Sequence, residues 1–116
     1  MRGMRAARLQ ALKADIEASI TDGQLSVVHV ASRHQVTPRY VQILFESEGT
    51  TFSNYVIVQR LTRAHRMLTD AGLKDWSISA IARAVGFANL SYFNRTFRKR
   101  YGVTPSEVRQ GMRNGK

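Results

Sequence analysis

The sequence predicts an all-α fold in which about seven helices form two helix-turn-helix subdomains joined by a long linker helix. Apolar residues recur at helical spacing, between N-cap residues and the glycines that mark helix ends. In addition, one pattern occurs twice in the chain. The first copy consists of Ser26, Val27, Val30, Ala31 and Val36. The corresponding residues 51 positions later are Ser77, Ile78, Ile81, Ala82 and Phe87.

The first subdomain is predicted over residues 5–49 and begins with a helix over residues 5–21. Asp22 and Gly23 are expected to end this helix. Ser26 is the expected N-cap of a short second helix, because its hydroxyl can accept a hydrogen bond from a free backbone N–H. The apolar face of the first helix consists of Leu9, Leu12, Ile16 and Ile20.

After a turn at residues 34–35, a third helix is predicted over about residues 37–48, with Thr37 as N-cap and Pro38 in the first turn. Gly49 is expected to end it. Helical periodicity divides this helix into two faces. The inner face contains Val41, Leu44 and Phe45, and the outward face contains Arg39, Gln42, Ile43 and Glu46.

A longer linker helix is predicted over residues 53–71 and is closed by Gly72. The second subdomain, over residues 77–114, begins with Ser77 as an N-cap. It turns at Gly86, where glycine permits the positive φ of a tight turn between helices. The packing stripe of the linker helix is Ile57, Leu61, Ala64 and Leu68.

A second exposed helix is predicted over about residues 89–101, with Asn89 as its N-cap because Ala88 has no capping group. A capping box formed by Thr104 and Glu107 then begins a last helix of about eight residues. The inner face of the exposed helix contains Phe93 and Phe97, and the outward face contains Ser91, Asn94, Arg95 and Arg98.

The charge of the chain favours a polyanionic partner. Eighteen Lys and Arg oppose eight Asp and Glu for a net charge of +10, and residues 83–116 provide +7 of it. Fourteen of the basic residues are Arg, whose planar guanidinium suits phosphates and base edges. The chain has no cysteine, no apolar run long enough to span a bilayer and no secretion signal, so a cytoplasmic location is expected.

Several motifs match a known family. They comprise Ile81-Ala82, Val85-Gly86-Phe87, Tyr92-Phe93, Arg95, Phe97, Gly102, Thr104-Pro105 and Arg109, with Arg60, Leu61, Ala64 and Leu68 in the linker helix. With these residues the chain resembles the DNA-binding domain of the AraC/XylS family of bacterial transcription regulators over about residues 8–112. The resemblance implies sequence-specific binding of double-stranded DNA by a single domain over residues 1–116. Its recognition helices, about 37–48 and 89–101, would enter successive major grooves.

The resemblance also assigns residues to the DNA. Base contacts fall to Arg39, Gln42 and Ile43 in the first subdomain and to Leu90, Ser91, Asn94 and Arg95 in the second. The chemistry agrees, because Arg matches guanine, Gln matches adenine and an aliphatic group can touch the methyl of thymine. Phosphate contacts are expected from Arg98, Lys99 and Arg63. For Arg63, solvation or an ion pair is an equally good interpretation.

The first subdomain departs from the family pattern. Ile43 stands where many members have Arg, and it either faces the DNA groove or packs beside Phe45. Glu46 and Glu48 make this subdomain less basic than the second. We therefore expect the second subdomain to provide more of the electrostatic affinity.

The resemblance further implies RNA polymerase at promoters as a partner, and no cofactor, metal or membrane. Family members usually carry an effector-binding or dimerisation domain upstream, so the chain is expected to be a fragment of a longer regulator or to work alone. A nonspecific architectural DNA-binding protein is the alternative, which the varied outward faces disfavour. An enzyme is not expected, because His29, His34 and His65 have no partner carboxylates at catalytic spacing. Binding of RNA is less favoured, since the sequence has no stacking sheet or glycine loop.

Overall fold

Seven α-helices and one 3₁₀ turn make up the secondary structure of residues 2–113, which are the residues that the computed structural model describes. These residues contain no strand, so the predicted all-α fold with seven helices is confirmed. Residues 1 and 114–116, which fall within the predicted domain limits, lie outside the described residues. The helices are α1 (Arg2–Ala18), α2 (Val27–Arg33), α3 (Pro38–Glu46), α4 (Phe52–Leu68), α5 (Ile78–Ala84), α6 (Leu90–Tyr101) and α7 (Pro105–Arg113), and the 3₁₀ turn is Ala71–Leu73.

The chain divides into two units, Met1–Val58 and Gln59–Lys116, and the division falls within α4. The first unit contains α1, α2, α3 and the beginning of α4, and the second contains the rest of α4 with α5, α6 and α7. Three buried residues of α4 lie 52 positions after three buried residues of α1. Leu61, Ala64 and Leu68 correspond in this way to Leu9, Leu12 and Ile16. The repeat therefore includes a helix before each helix-turn-helix pair.

The core of the first unit confirms its predicted inner faces. The predicted residues Leu9, Leu12, Ile16, Ile20, Val41, Leu44 and Phe45 are all buried. Phe52 and Val56 of α4 join them, whereas Ile57 of the predicted packing stripe is only half-buried. α4 begins at Phe52 because the hydroxyl of Thr51 accepts a hydrogen bond from the N–H of Asn54 at 3.0 Å.

α1 spans Arg2–Ala18 rather than the predicted residues 5–21. After its last residue the backbone tightens, because the N–H of Ser19 donates to the carbonyls of both Asp15 and Ile16, each at 3.1 Å. Such shared bonds are typical of a helix that ends in a 3₁₀-like turn. The helix therefore ends before the predicted breakers.

The predicted N-caps of three helices are confirmed. The hydroxyls of Ser26, Thr37 and Ser77 accept hydrogen bonds from the N–H groups of His29 (3.2 Å), Tyr40 (3.1 Å) and Ala80 (3.0 Å). Gly49 and Gly102 follow the two exposed helices with φ of 74° and 75°, the left-handed conformation of a C-terminal glycine. α3 itself ends at Glu46, slightly before its predicted limit.

The end of α4 corrects the prediction that the linker helix continues to residue 71 and is closed by Gly72. The helix ends at Leu68. Asp70 then caps the 3₁₀ turn, because its carboxylate accepts a hydrogen bond from the N–H of Gly72 at 2.8 Å. A side chain that bonds the backbone two residues later competes with continuation of the helix.

The predicted inner face of α6 and the predicted start of α7 are confirmed in the second unit. The Phe93 ring lies 5.1 Å from Phe87 and 5.7 Å from Phe97 between ring centres. The N–H of Thr104 donates to Glu107 Oε1 at 2.9 Å, and the N–H of Glu107 donates to Thr104 Oγ1 at 3.1 Å. These hydrogen bonds lower the pKa of Glu107. The hydrophobic core of this unit consists of Leu61, Ala64, Leu68, Ile81, Ala82, Val85, Phe87, Phe93 and Phe97.

Candidate nucleic-acid interface

The outward face of α3 is polar and accessible. Arg39, Gln42 and Glu46 are exposed, opposite the buried inner face. Gln42 and Glu46 also line a cleft of about 270 Å³ with Val27 and the first residues of α4. Ile43 is half-buried, at the border between the two faces. The helix therefore presents three polar side chains and part of an aliphatic one to solvent.

α6 presents a longer polar face than α3. All six predicted contact residues are exposed, namely Leu90, Ser91, Asn94, Arg95, Arg98 and Lys99. Phe93 and Phe97 hold the opposite face in the core. Asn89 Oδ1 accepts a hydrogen bond from the N–H of Tyr92 at 2.9 Å, which confirms that Asn89 caps the helix in place of Ala88.

The guanidinium of Arg95 is restrained by a neighbouring ring. It lies 5.7 Å from the centre of the Tyr92 ring, a distance typical of a cation–π contact. Arg95 nevertheless remains exposed, as does Tyr92. Arg98, Lys99 and Arg100 follow in the last turn of α6, where the helix dipole favours positive charge. This end of α6 is the more positive part of the helix.

Two carboxylates of the first unit are paired with basic groups. Lys13 Nζ lies 2.5 Å from Glu48 Oε1. Arg33 donates two hydrogen bonds of 3.1 Å to Asp15, and His34 Nε2 lies 2.9 Å from the same carboxylate. Burial raises the pKa of Asp15, but the hydrogen bonds and charges of Arg33 and His34 outweigh burial and bring the pKa below its ordinary value of 3.8. The negative charge of both carboxylates is therefore offset locally.

A cleft beside α3 escapes prediction from the sequence. The guanidinium of Arg8 lies 5.8 Å from the centre of the Tyr40 ring. With His34, these side chains line a cleft of about 120 Å³, whose apolar walls are Ala11, Leu12 and Val36. No sequence pattern pairs Arg8 with Tyr40, since their contact depends on how α1 packs on α3. Only the basic character of the first residues of α1 could have drawn attention to this region.

The remaining predicted residues lie elsewhere. Arg63 is exposed on α4, in the second unit. His34 contacts Asp15, and the ring of His65 lies 4.7 Å from that of Tyr101, so both histidines have structural partners. Over residues 2–113, no cluster of His, Asp or Glu could hold a metal ion. Within the same range, every helix is too short or too polar to cross a membrane.

Comparison with known proteins matches residues 30–111 to a family described as "Helix-turn-helix domain". Transcriptional activator RhrA of Rhizobium meliloti is 47% identical over 103 residues, which are 89% of this chain and 32% of RhrA. Regulatory protein PocR of Salmonella typhimurium is 40% identical over 96 residues, which are 82% of this chain and 30% of PocR. The chain therefore spans about a third of the length of these curated relatives.

Solved structures share the fold. A transcriptional regulator from Chromobacterium violaceum, described as an AraC-type DNA-binding domain-containing protein, is 30% identical with a TM-score of 0.83, over 97% of this chain and 96% of that one. A probable AraC family transcriptional regulator from Rhodopseudomonas palustris is 27% identical with a TM-score of 0.80, over 90% of this chain and 95% of that one. The sequence matches and the structural matches therefore lead to the same group of proteins.

Proposed function

Because this chain belongs to the AraC/XylS family of helix-turn-helix transcription regulators, we propose that it regulates transcription by binding double-stranded DNA in a sequence-specific manner. The observation that carries this proposal is the polar face of α6, which is exposed along the helix and opposite two buried phenylalanines. A helix anchored on one side and furnished with varied hydrogen-bonding groups on the other suits the major groove.

In the second unit, α6 is the proposed recognition helix. Its base contacts are assigned to Leu90, Ser91, Asn94 and Arg95. Arg95 can donate two hydrogen bonds to O6 and N7 of guanine, and Asn94 can pair with the edge of adenine. Arg98 and Lys99 lie nearer the end of the helix and are assigned to phosphates, which position the protein without specifying sequence. Arg63 of α4 is assigned to a further phosphate contact.

In the first unit, α3 is the proposed recognition helix. Arg39 and Gln42 are exposed on it and have the donors that guanine and adenine require. The uncovered part of Ile43 is assigned to the methyl group of a thymine. Because the internal repeat gives each unit its own helix-turn-helix pair, the DNA site should have two parts, each read in the major groove.

Selection of bound duplexes from a random pool tests this proposal. We expect one enriched motif in two parts, about one helical turn apart. A variant with Asn94→Ala and Arg95→Ala should lose enrichment in one part only. Ser106→Ala, exposed on α7 and outside the proposed interface, is the matched control and should select the unchanged motif. Binding without any enriched motif would instead support a nonspecific architectural protein.

For the whole protein, we propose action on RNA polymerase at bacterial promoters, in the cytoplasm. RhrA is named a transcriptional activator and PocR a regulatory protein, which supports a transcriptional role. Transcription in vitro by purified bacterial RNA polymerase, from a promoter that carries the selected motif, tests this part. A change in transcript that disappears when the motif is scrambled would support the role, and an unchanged transcript would contradict it.

A further inference from the structure

We infer that the cleft lined by Arg8, His34 and Tyr40 receives a phosphate of the DNA backbone beside the bases that α3 reads, an inference that rests on the proposed function. Tyr40 follows Arg39 directly and lies one helical turn before Ile43, so its ring borders the outward face of α3. The Arg8 guanidinium, 5.8 Å from the centre of that ring, therefore flanks the proposed base-reading surface.

The size and chemistry of the cleft suit a phosphate group. Its volume of about 120 Å³ is several times the roughly 10–15 Å³ that one water molecule needs on the same measure, so the cleft has room for a phosphate group. Arg8 is exposed and brings a guanidinium, whose planar set of donors matches phosphate oxygens. Tyr40 and His34 also line the cleft, although Nε2 of His34 is engaged with Asp15.

The charges around the cleft are compatible with an anion. Asp15, the carboxylate that His34 contacts, is also bound by Arg33 and is not among the residues that line the cleft. Arg5, exposed about one turn before Arg8 on α1, adds positive potential from outside the cleft. An anionic oxygen entering the cleft therefore meets a net positive environment.

A phosphate contact from α1 would supply what α3 lacks. Arg39 is the single Lys, Arg or His in α3, and it is assigned to a base. In α6, by contrast, several cations are available for phosphates in addition to the base-contacting arginine, namely Arg98, Lys99 and Arg100. Contacts to phosphates fix the register of a recognition helix in the groove. Arg8 is therefore a positioning residue for α3.

Binding measurements as a function of salt test the inference. Fluorescence anisotropy of a labelled duplex is compared for the wild type, Arg8→Gln and Arg5→Gln. Loss of one phosphate contact should make the slope of log K against log salt less steep by about 0.9 and weaken binding about eightfold near 0.1 M salt, on related and unrelated sequences alike. Arg5→Gln removes the same charge from the same helix outside the cleft, and both of its effects should be much smaller.

A scan of single methylphosphonate substitutions in the duplex locates the phosphate, since each substitution removes one negative charge from the backbone. At one position the methylphosphonate should weaken binding by the wild type. The same methylphosphonate should cause no further loss for Arg8→Gln, because the contact with that phosphate is already absent. Additive losses at every position, or equal losses for the two Gln variants, would overturn the inference. An unchanged thermal midpoint for Arg8→Gln excludes an effect through folding.

Inorganic phosphate titrated into the free protein at constant ionic strength distinguishes DNA from a free anion. Saturable binding of phosphate together with additive losses in the methylphosphonate scan would assign the cleft to a small anion and reject the DNA phosphate. The comparison of salt slopes can use any duplex that binds, whereas the methylphosphonate scan uses the selected duplex. Failure to select a motif would therefore reject the proposed sequence specificity, while the difference in salt slope between Arg8→Gln and Arg5→Gln could still be observed.

Discussion

Gln35 and Gly86 occupy equivalent positions in the turns of the two units, 51 positions apart, and both have positive φ, 56° and 107°. A hydrogen bond to the preceding helix closes each turn. The N–H of Val36 donates to the carbonyl of Ala31 at 3.0 Å, and the N–H of Phe87 donates to the carbonyl of Ala82 at 2.9 Å. The hydrogen bond that closes the turn is thus repeated, although the residue type and the value of φ are not. A side chain in this region of φ is less favourable than glycine by roughly 1 kcal/mol, so the first turn is strained where the second is relaxed.

We expect Gln35→Gly to stabilise the protein by about 0.5–1 kcal/mol, because glycine adopts this φ freely while its greater freedom in the unfolded chain reduces the gain. Urea denaturation followed by circular dichroism measures the change in the free energy of unfolding. Ser32→Gly, inside α2, is the control and should destabilise by about 0.5–1 kcal/mol. If Gln35→Gly is the less stable protein, the turn holds Gln without strain.

Signals between sequence neighbours are sufficient to predict most helix starts. Ser26, Thr37 and Ser77 each bond an N–H three residues later, so the whole interaction is contained in a short segment. Helix ends are less predictable. After α4, Asp70 accepts a hydrogen bond from the N–H of Gly72, and a local bond of this kind competes with continuation of the helix.

Contacts between distant residues cannot be predicted in this way. The ion pair of Asp15 with Arg33, and the contact of Arg8 with Tyr40, depend on how the helices cross, which a helical period does not determine. The same limit applies to Ile43. Periodicity gives the direction of its side chain, but neighbouring elements decide how much of that side chain is covered.

Phe93→Ala or Phe97→Ala should reduce the free energy of unfolding by about 3–5 kcal/mol, since both rings are fully buried and their loss leaves a cavity. That is a large part of the stability of a small domain, so the second unit should unfold. Trp76 is the single tryptophan and belongs to that unit, so its fluorescence follows this transition. Ser91→Ala, on the exposed face of α6, should leave the midpoint unchanged. If Phe93→Ala and Phe97→Ala unfold at the same midpoint as the wild type, these two residues do not form the inner face of α6.

Asp15→Asn should destabilise the first unit by up to about 1 kcal/mol at neutral pH, because it removes the charge that Arg33 and His34 bind. The pKa of Asp15 is depressed in the folded state, so the ion pair contributes stability above the ordinary pKa of 3.8. That contribution is lost as the pH falls through the lower folded-state pKa. The gap between the wild type and the variant should therefore close in acid, as measured by denaturation from neutral pH down to about pH 2. A gap that persists in acid would show that the charge of Asp15 is not the cause.

Arg95→Ala should weaken binding to the selected duplex by about 1–3 kcal/mol. The loss should be much smaller on duplexes in which the base that Arg95 contacts has been changed. Lys99→Ala should weaken all of these duplexes equally and make the salt slope less steep by about 0.9, as expected for a phosphate contact. Anisotropy titrations on four duplexes that differ at one base pair separate the two patterns. Equal loss on all four for Arg95→Ala would reassign Arg95 to a phosphate.

Ile43 is half-buried, so part of its side chain supports the fold and part is free to contact DNA. Ile43→Ala should reduce the free energy of unfolding by about 1 kcal/mol, because less apolar surface is buried here than at a core position. Leu44→Ala is the matched control. Leu44 is fully buried, and the loss should reach about 2–5 kcal/mol. Urea denaturation of both variants separates these effects on stability from the effects on binding.

The uncovered part of Ile43 should favour thymine at one position in the DNA segment read by the first unit. Replacing that thymine with deoxyuridine removes only its methyl group, which should weaken binding by the wild type and leave Ile43→Ala unaffected. Ile43→Arg should instead strengthen binding and shift the preference toward guanine, since it adds a charged donor. If the wild type binds the deoxyuridine duplex as tightly as the thymine duplex, Ile43 serves the fold alone. Base reading by the first unit then rests on Arg39 and Gln42.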